Sequence, residues 1–403
     1  MRIVVWGINY WPEKTGIGPC NTTLCEYLAS RGHEVEMLTT FAYYPAWTKS
    51  SEDAGKLFRS DDLRGVKVRR CWHYVPSKVT TKKRILHELS FVLSSSLRLL
   101  GLKRPDVFVV VSPPLLLGFA AWVLGLVKRS PFFFHVQDLQ PDAAMGLGML
   151  KPGPLMRALY WLEAFAYRKA ARVCGISQGM VRAFLKKGVA PDRVVYFPNP
   201  ITFSANPPKG TFRAKFGFAE TDFLPVYSGN LGAKQGLGVL VEAARLLRNE
   251  RIKVIICGDG VQREELKAQA EGAPVVFLPL LEESEYRQMM VDADVCVITQ
   301  APGTGGVFFP SKLLSALAHS VPVFSVADEE SELVRAVKEA GCGVNVLNAA
   351  PREVAHVLEE LAIKGDELVE MGRRGREFAE QFEVERVLGR FEDDLRAVVS
   401  AAL

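Results

Sequence analysis

Seven cysteines are scattered through the 403 residues, none at C-x-x-C spacing and none in a cluster with histidines. That pattern excludes a zinc ribbon and a disulfide framework, and it fits a reducing compartment. No segment is low in complexity and no short period repeats, which excludes a solenoid. Arg2 is followed at once by a strand-like run and a polar loop, so no signal peptide is expected there. One charge-free stretch, "VFVVVSPPLLLGFAAWVLGLV" over 107–127, is long enough to span a bilayer. Pro113 and Pro114 interrupt it, and its first part is β-branched and aromatic. A buried parallel strand, a loop and a buried helix are expected instead.

With 48% hydrophobic and 24% charged residues, the chain is an ordinary globular one, comfortable as two domains. Its net charge of +5 hides an asymmetry. Residues 1–200 carry 28 Lys and Arg against 14 Asp and Glu, whereas 201–403 carry 22 against 31. A basic half is expected to meet something anionic: nucleic acid, a phosphorylated substrate or a membrane surface. No basic-aromatic recognition motif for nucleic acid is present.

Strand-like runs alternate with helical ones from end to end, which predicts parallel sheets covered on both faces. Seven such runs lie in the first half, from "RIVVWGI" to "RVVYFPN", and five in the second, from "FLPVYSGN" to "VPVFSV". The four-proline stretch "FPNPITFSANPPKG" (197–210) reads as an interdomain linker, after which "FLPVYSGNLG" restarts the pattern. The expected fold class is α/β, with two doubly wound Rossmann-like domains facing each other across a cleft. Ligands in such sheets sit at the carboxyl ends of strands.

The loops there hold the candidates. "INYWPEKTGIG" (8–18) places Gly16 and Gly18 after the first strand, but no third glycine completes G-x-G-x-x-G. The second strand ends Leu38-Thr39-Thr40 without the acid a dinucleotide site needs, which argues against NAD. The two glycines serve either an anionic ligand or a tight turn. His135 and Asp138 close the aromatic strand of "FFFHVQDLQPD", where both are expected to point toward the cleft rather than the core. In "YSGNLGAKQGL" (227–237), three glycines surround Lys234 before a helix, a combination suited to a pyrophosphate or simply to a solvated turn. Gly258-Asp259-Gly260 forms a sharp strand-to-helix turn. In "APGTGGVFFPSKLLSALAHSVPV" (301–323), Gly305 and Gly306 are followed by Ser311, placed as an N-cap, and by Lys312 in the first turn. A cation there opposes the helix dipole, and a bound anion would remove that conflict.

Together, "GINYWPEKTGIG", "YYPAW" (43–47), "HVQDLQPD", "YSGNLGAKQGL", "CGDG" and "PSKLLSALAHSVPV" resemble the retaining glycosyltransferase family 4, and within it the WcaI-type enzymes of bacterial exopolysaccharide synthesis. The resemblance implies a GT-B fold. An acceptor-binding domain would span 1–200, a nucleotide-sugar domain 201–382, and a last helix, about 383–403, would pack back on the first. It implies no cofactor and no metal: lysines and helix amides would neutralise the leaving diphosphate of a GDP- or UDP-sugar. His135 and Asp138 would border the transferred sugar. Lys234 would contact the diphosphate, Ser311 and Lys312 the phosphates or ribose, with Gly16, Gly18, Asn230, Gly258, Asp259 and Gly260 around the donor.

Two departures from the family pattern stand out, at four positions. Where many members have Arg and Lys in the third loop, this chain has Asn230 and Gln235. Where many have glutamates at E-x7-E, it has Val307 and Ser315, so backbone amides around Gly305 and Gly306 would stand in for the first. A nucleotide-sugar epimerase and a non-catalytic nucleotide-sugar or membrane-surface binder are the alternatives.

Leu86, Leu89, Leu93, Leu97 and Leu100 form one stripe of the helix predicted over 82–104, with Lys82, Lys83, Arg84, Lys103 and Arg104 at its ends. The stripe either faces the core or lies on an anionic bilayer. The family's acceptors are often polyprenyl-diphosphate-linked saccharides, which places the expected work at the cytoplasmic, inner face of the cytoplasmic membrane, peripherally bound.

Overall fold

The computed structural model describes residues 1–78, 80–146, 152–303, 311–347 and 350–402. It divides into two compact units, Met1–Pro200 with Val384–Leu403, and Ile201–Glu383.

Unit 1 runs β1 (Arg2–Trp6), α1 (Gly18–Ser30), β2 (Glu34–Thr40), β3 (Phe58–Leu63), β4 (Val66–Cys71), α2 (Thr81–Leu100), β5 (Val107–Ser112) and α3 (Leu117–Lys128). It continues with β6 (Phe132–Val136), α4 (Gln140–Gly146), α5 (Pro154–Lys169), β7 (Arg172–Gly175), α6 (Gln178–Lys186) and β8 (Val194–Tyr196). The sheet order is β3-β4-β2-β1-β5-β6-β7-β8, parallel except for β3. Because both faces are covered, the central strands are continuous apolar runs; every residue of β5 and β6 is buried. Val4 and Trp6 pack on one side with Phe91 of α2, Leu117 of α3 and Ala166 of α5. Ile3 and Val5 pack on the other with Leu24 and Leu28 of α1.

The last helix, α15 (Val384–Ala402), belongs to unit 1 and completes that second face. Phe391 stacks on Phe197 at 3.9 Å and meets Phe133 edge-on at 5.6 Å. Buried Glu392 takes hydrogen bonds from Arg31 (3.2 Å) and Arg396, and bonds to His33 Nε2 at 3.0 Å. Burial opposes its ionisation, but these three partners hold the carboxyl down at about 2. The stretch 197–210, expected to be a linker, begins as part of this core, since Phe197 is buried beneath Phe391.

Unit 2 runs α7 (Thr211–Phe216), β9 (Pro225–Ser228), α8 (Gly238–Ala244), β10 (Val254–Cys257), α9 (Arg263–Gln269), β11 (Val275–Leu278) and α10 (Glu283–Asp292). Then follow β12 (Val295–Thr299), α11 (Ser311–Ala318), β13 (Val323–Val326), α12 (Glu332–Ala340), β14 (Gly343–Val346), α13 (Pro351–Leu361) and α14 (Gly365–Ala379). Its sheet is wholly parallel, in the order β11-β10-β9-β12-β13-β14. In each sheet the strand order reverses once, at β1/β5 and at β9/β12, and a doubly wound sheet offers its ligand crevice at that point.

Two expectations change. The leucine stripe of α2 does not face the core: Leu86, Leu89, Leu93, Leu97 and Leu100 are 38–67% exposed. The buried face of α2 is instead His87, Ser90, Phe91, Val92, Ser95 and Leu99, and the indole of Trp6 donates to Ser95 Oγ at 2.9 Å. The strand in 107–127 is buried as expected, but α3 after it is only partly so, with Val123, Leu126 and Val127 exposed. Among the described residues no helix is long and apolar enough to cross a membrane.

Candidate active site

In unit 2, the loops after β9, β10 and β12 are laced together at the switch point. The amide of Gly229 donates to Cys257 O, that of Leu231 to Asp259 O (2.8 Å), and that of Ala301 to Lys234 O (2.9 Å). Gly258 is required here: at φ 140° its backbone touches the 229 carbonyl so closely that a Cβ would lie 1.9 Å from that oxygen. Gly260 packs in the same way on Leu231. Asp259 is exposed, and its carboxylate accepts from the amide of Gly260 at 2.8 Å, closing its own turn. Gly258, Asp259 and Gly260 therefore build the floor on which the β9 loop rests.

Lys312 enters from the first turn of α11. Its ammonium donates to the hydroxyl of Tyr227 and lies 3.9 Å from that ring's centroid. The Tyr227 hydroxyl in turn donates to the carbonyl of Asn230 at 2.7 Å. The Lys312 stem crosses Gly229, where a Cβ would meet Lys312 Cε at 2.4 Å. Burial pushes the ammonium down to about 8, opposed by Cys296 and reinforced by the positive charge of Lys234. Among the described residues no carboxylate is one of the groups acting on it. Lys234 itself is exposed, on the short turn Ala233–Gln235. Gln235, in the family's lysine position, has a buried side-chain oxygen without a partner.

Ser315, in the place of the second glutamate, bonds to Tyr286 of α10 at 2.7 Å. Ser311 opens α11. Gly305 and Gly306 lie outside the described residues. Among the described residues, no group of three or more His, Cys, Asp or Glu is placed to hold a metal.

In unit 1, Gly16 is left-handed at φ 68° and faces the Tyr44 ring, while Gly18 abuts the Glu13 carbonyl at the start of α1. Between them and the next loop stands a residue that the glycine count overlooked. Glu13 is buried; its Oε1 accepts from the amides of Tyr43 (3.0 Å) and Tyr44 (2.9 Å), and its Oε2 from Asn9 Nδ2 (2.7 Å). Burial raises its pKa, and these bonds work the other way.

His135 does not project from the sheet edge as expected. It is 3% exposed, packed on Phe197 with ring centroids 4.5 Å apart, on the same side of the sheet as Phe133. Alternation along β6 dictates this, because Phe133 already faces α15. Gln137 Nε2 lies 3.2 Å from His135 Nε2, and the Gln137 amide is itself held by a reciprocal pair of bonds to Asn199 (2.8 and 2.9 Å). With Gln137 donating, the imidazole proton sits on Nδ1, which is buried with no partner. Burial pushes the imidazole down to about 3, so it is neutral. Asp138 is half-buried, in the turn that leads into α4. Gln137 and Asn199 carry no motif signature, and only the fold brings them together.

Two doubly wound units, one with a half-buried cation and interlaced glycine loops at its switch point, define a GT-B fold. The chain is similar along nearly its whole length to sucrose-phosphate synthase from Thermosynechococcus elongatus (TM-score 0.79, 16% identity, 99% of each chain). It is also similar to Anabaena Alr3699/HepE in complex with UDP (TM-score 0.71, 16% identity, 98% of this chain and 100% of that one). Residues 15–200 match the family described as glycosyl transferase 4-like domain, and residues 223–364 match glycosyl transferases group 1. The putative colanic acid biosynthesis glycosyl transferase WcaI of Escherichia coli (strain K12) is 30% identical over 98% of this chain and 100% of its own. The chain belongs to this glycosyltransferase family.

Proposed function

We propose that the protein transfers a sugar, with retention, from a GDP- or UDP-sugar to a lipid-linked or saccharide acceptor in bacterial exopolysaccharide or O-antigen synthesis. The observation that carries this reading is Lys312, a half-buried ammonium with no carboxylate acting on it among the described residues, held against Tyr227 of β9 beside Cys296 of β12. A diphosphate supplies the missing counter-charge, with Lys234 and loop amides as further donors. In this reading the leaving group needs no metal and the reaction no cofactor. Unit 2 holds the donor and unit 1 the acceptor. His135, neutral and with an unpaired N–H, borders the transferred sugar together with Asp138. Support comes from the relatives: HepE was solved with UDP, and the WcaI name refers to colanic acid biosynthesis.

A thermal-shift series with UDP, GDP and their sugars tests the donor assignment. A nucleotide at 100 times its Kd stabilises the folded state by about 2.7 kcal/mol. One of the two nucleoside diphosphates is expected to raise Tm clearly, and no shift with either would defeat the reading. Release of free nucleoside diphosphate then separates a catalyst from a binder, and transfer of the sugar to an acceptor separates a transferase from an epimerase.

The work takes place, in the same reading, peripherally on the inner face of the cytoplasmic membrane. The exposed leucines of α2, next to Lys82, Lys83, Arg84, Lys103 and Arg104, support it. A helix of this kind buries its apolar face in an interface while its cations meet anionic headgroups. Leu93→Glu with Leu97→Glu is expected to abolish co-flotation with phosphatidylglycerol vesicles and leave Tm unchanged, since both side chains are exposed. Equal flotation of mutant and parent would refute the membrane role of α2.

A further inference from the structure

The YYPAW stretch takes no part in the roles assigned so far, yet it is the most tightly specified loop of unit 1. It follows β2 and lies beside the segment that follows β4, at the carboxyl edge where such sheets receive ligands. Tyr43 is the hub. Its ring centroid lies 5.3 Å from Trp47, 5.0 Å from His73 and 4.7 Å from His87. Trp47 and His87 are 5.2 Å apart, and the two imidazoles 5.1 Å. Glu13 fixes the loop from beneath through the amides of Tyr43 and Tyr44. Trp47 is held at φ 52°, a left-handed conformation that a bulky residue adopts only under constraint and that concentrates at ligand sites.

The polar groups of this cluster are incompletely used. His73 is 0% and His87 1% exposed. His87 Nδ1 bonds to the Tyr74 carbonyl at 2.6 Å, but among the described residues His87 Nε2 has no hydrogen-bond partner, and the nitrogens of His73 have none at good geometry, with only the Cys71 backbone as a weak partner of that ring. A buried polar group left in that state costs about 1–3 kcal/mol. Burial pushes His73 down to about 2 and His87 in the same direction, so both rings are neutral and offer donor and acceptor nitrogens together. Around them, Tyr44 and Trp72 are exposed, and Trp47 is half-buried over His87. Lys49 donates to the His73 carbonyl and lies over the Trp72 ring.

Aromatic faces with a few neutral donor-acceptor groups match one ligand chemistry. A pyranose offers C–H faces that pack on aromatic rings, and its hydroxyls both donate and accept. We propose that Tyr44, Trp47, Trp72, His73 and His87 form a saccharide-binding subsite that receives the sugar of the acceptor. This rests on the reading of the chain as a glycosyltransferase with its acceptor on unit 1. Rotation of the half-buried Trp47 indole opens the imidazoles beneath to a sugar hydroxyl.

His73→Phe is the sharpest test, because it removes both ring nitrogens, keeps the ring contacts with Tyr43 and His87, and gives up no more than a weak contact with the Cys71 backbone. The full chain is examined by saturation-transfer NMR with the methyl glycosides of glucose, galactose, mannose and N-acetylglucosamine, and with UDP and GDP in parallel samples. The parent is expected to give signal with at least one glycoside. His73→Phe is expected to weaken that glycoside at least fivefold, with Tm held or raised and nucleotide binding unchanged. Trp47→Ala, at a half-buried loop position, is expected to weaken it similarly. Unchanged glycoside binding in both variants overturns the subsite, as does a parent that binds nucleotide but no glycoside. A parent that binds neither class overturns the glycosyltransferase reading as well.

Discussion

Replacing His135 by phenylalanine is expected to leave the protein folded and to lower kcat by about 10²-fold or more, the scale of losing one positioned group that strengthens in the transition state. Phenylalanine keeps the ring contact with Phe197 and deletes an Nδ1–H that has no partner among the described residues, but it also removes the Nε2 that accepts from Gln137, so a small fall in Tm, about 1–3 kcal/mol of stability at most, is expected. Alanine is the poorer choice, because a cavity beneath Phe197 would lower Tm whatever the histidine does. Nucleoside-diphosphate affinity, which the proposed function assigns to unit 2, should stay near that of the parent. Turnover and melting are read on one preparation. Full activity in a well-folded His135→Phe would reduce the histidine to a core residue whose polarity serves no step.

Lys312→Met is expected to weaken nucleoside-diphosphate binding by about 1.5–3 kcal/mol, the range for a charged hydrogen bond. Titration calorimetry reads it directly. The pH dependence gives an independent signature. In the free protein the ammonium is held at about 8, below its ordinary value, so bound diphosphate must raise it. Affinity should be flat below pH 8 and fall by up to tenfold per unit above it, until the pKa of the complex is passed. Stability of the ligand-free protein moves the other way. The unfolded chain holds this proton more tightly, so the group's contribution to stability rises as pH increases from about 8 toward the ordinary lysine pKa. Lys312→Met should lose both trends. A parent whose affinity is level from pH 7 to 10 would remove Lys312 from the diphosphate site.

Twelve strands were legible because each is an apolar or alternating run bounded by turn residues. The two that were missed are edge strands. β3, "FRSDDL", is polar between its end residues Phe58 and Leu63 and is a strand because it pairs antiparallel with β4 along six residues; Arg59 and Arg70 both reach its Asp61. β14, "GVNV", is four residues long and owes its place to β13. The α2 stripe left two readings open in a related way. Five leucines at helical spacing announce one face of a helix but not which face is buried, and here Ser90, Ser95 and His87 go inside, hydrogen-bonded to Tyr74 after β4 and to Trp6 of β1. At the candidate site, glycines and lysines stood out because their residue types are distinctive. Tyr227, Gln137, Asn199 and Glu13 did not, because each acquires its task from a partner remote in sequence or on a neighbouring loop.

The contribution of α15 to unit 1 has a temporal side. Its phenylalanine and glutamate complete a sheet whose eight strands all precede Pro200, and the whole of unit 2 lies between. On the ribosome, the nascent first unit must wait with Phe133 and Phe197 uncovered until the last helix emerges. A fragment ended at Pro200 carries every strand of that unit and never receives the cover for one of its faces. Synthesis of the second unit is thus nested within that of the first: it is made inside the interval during which the first remains open.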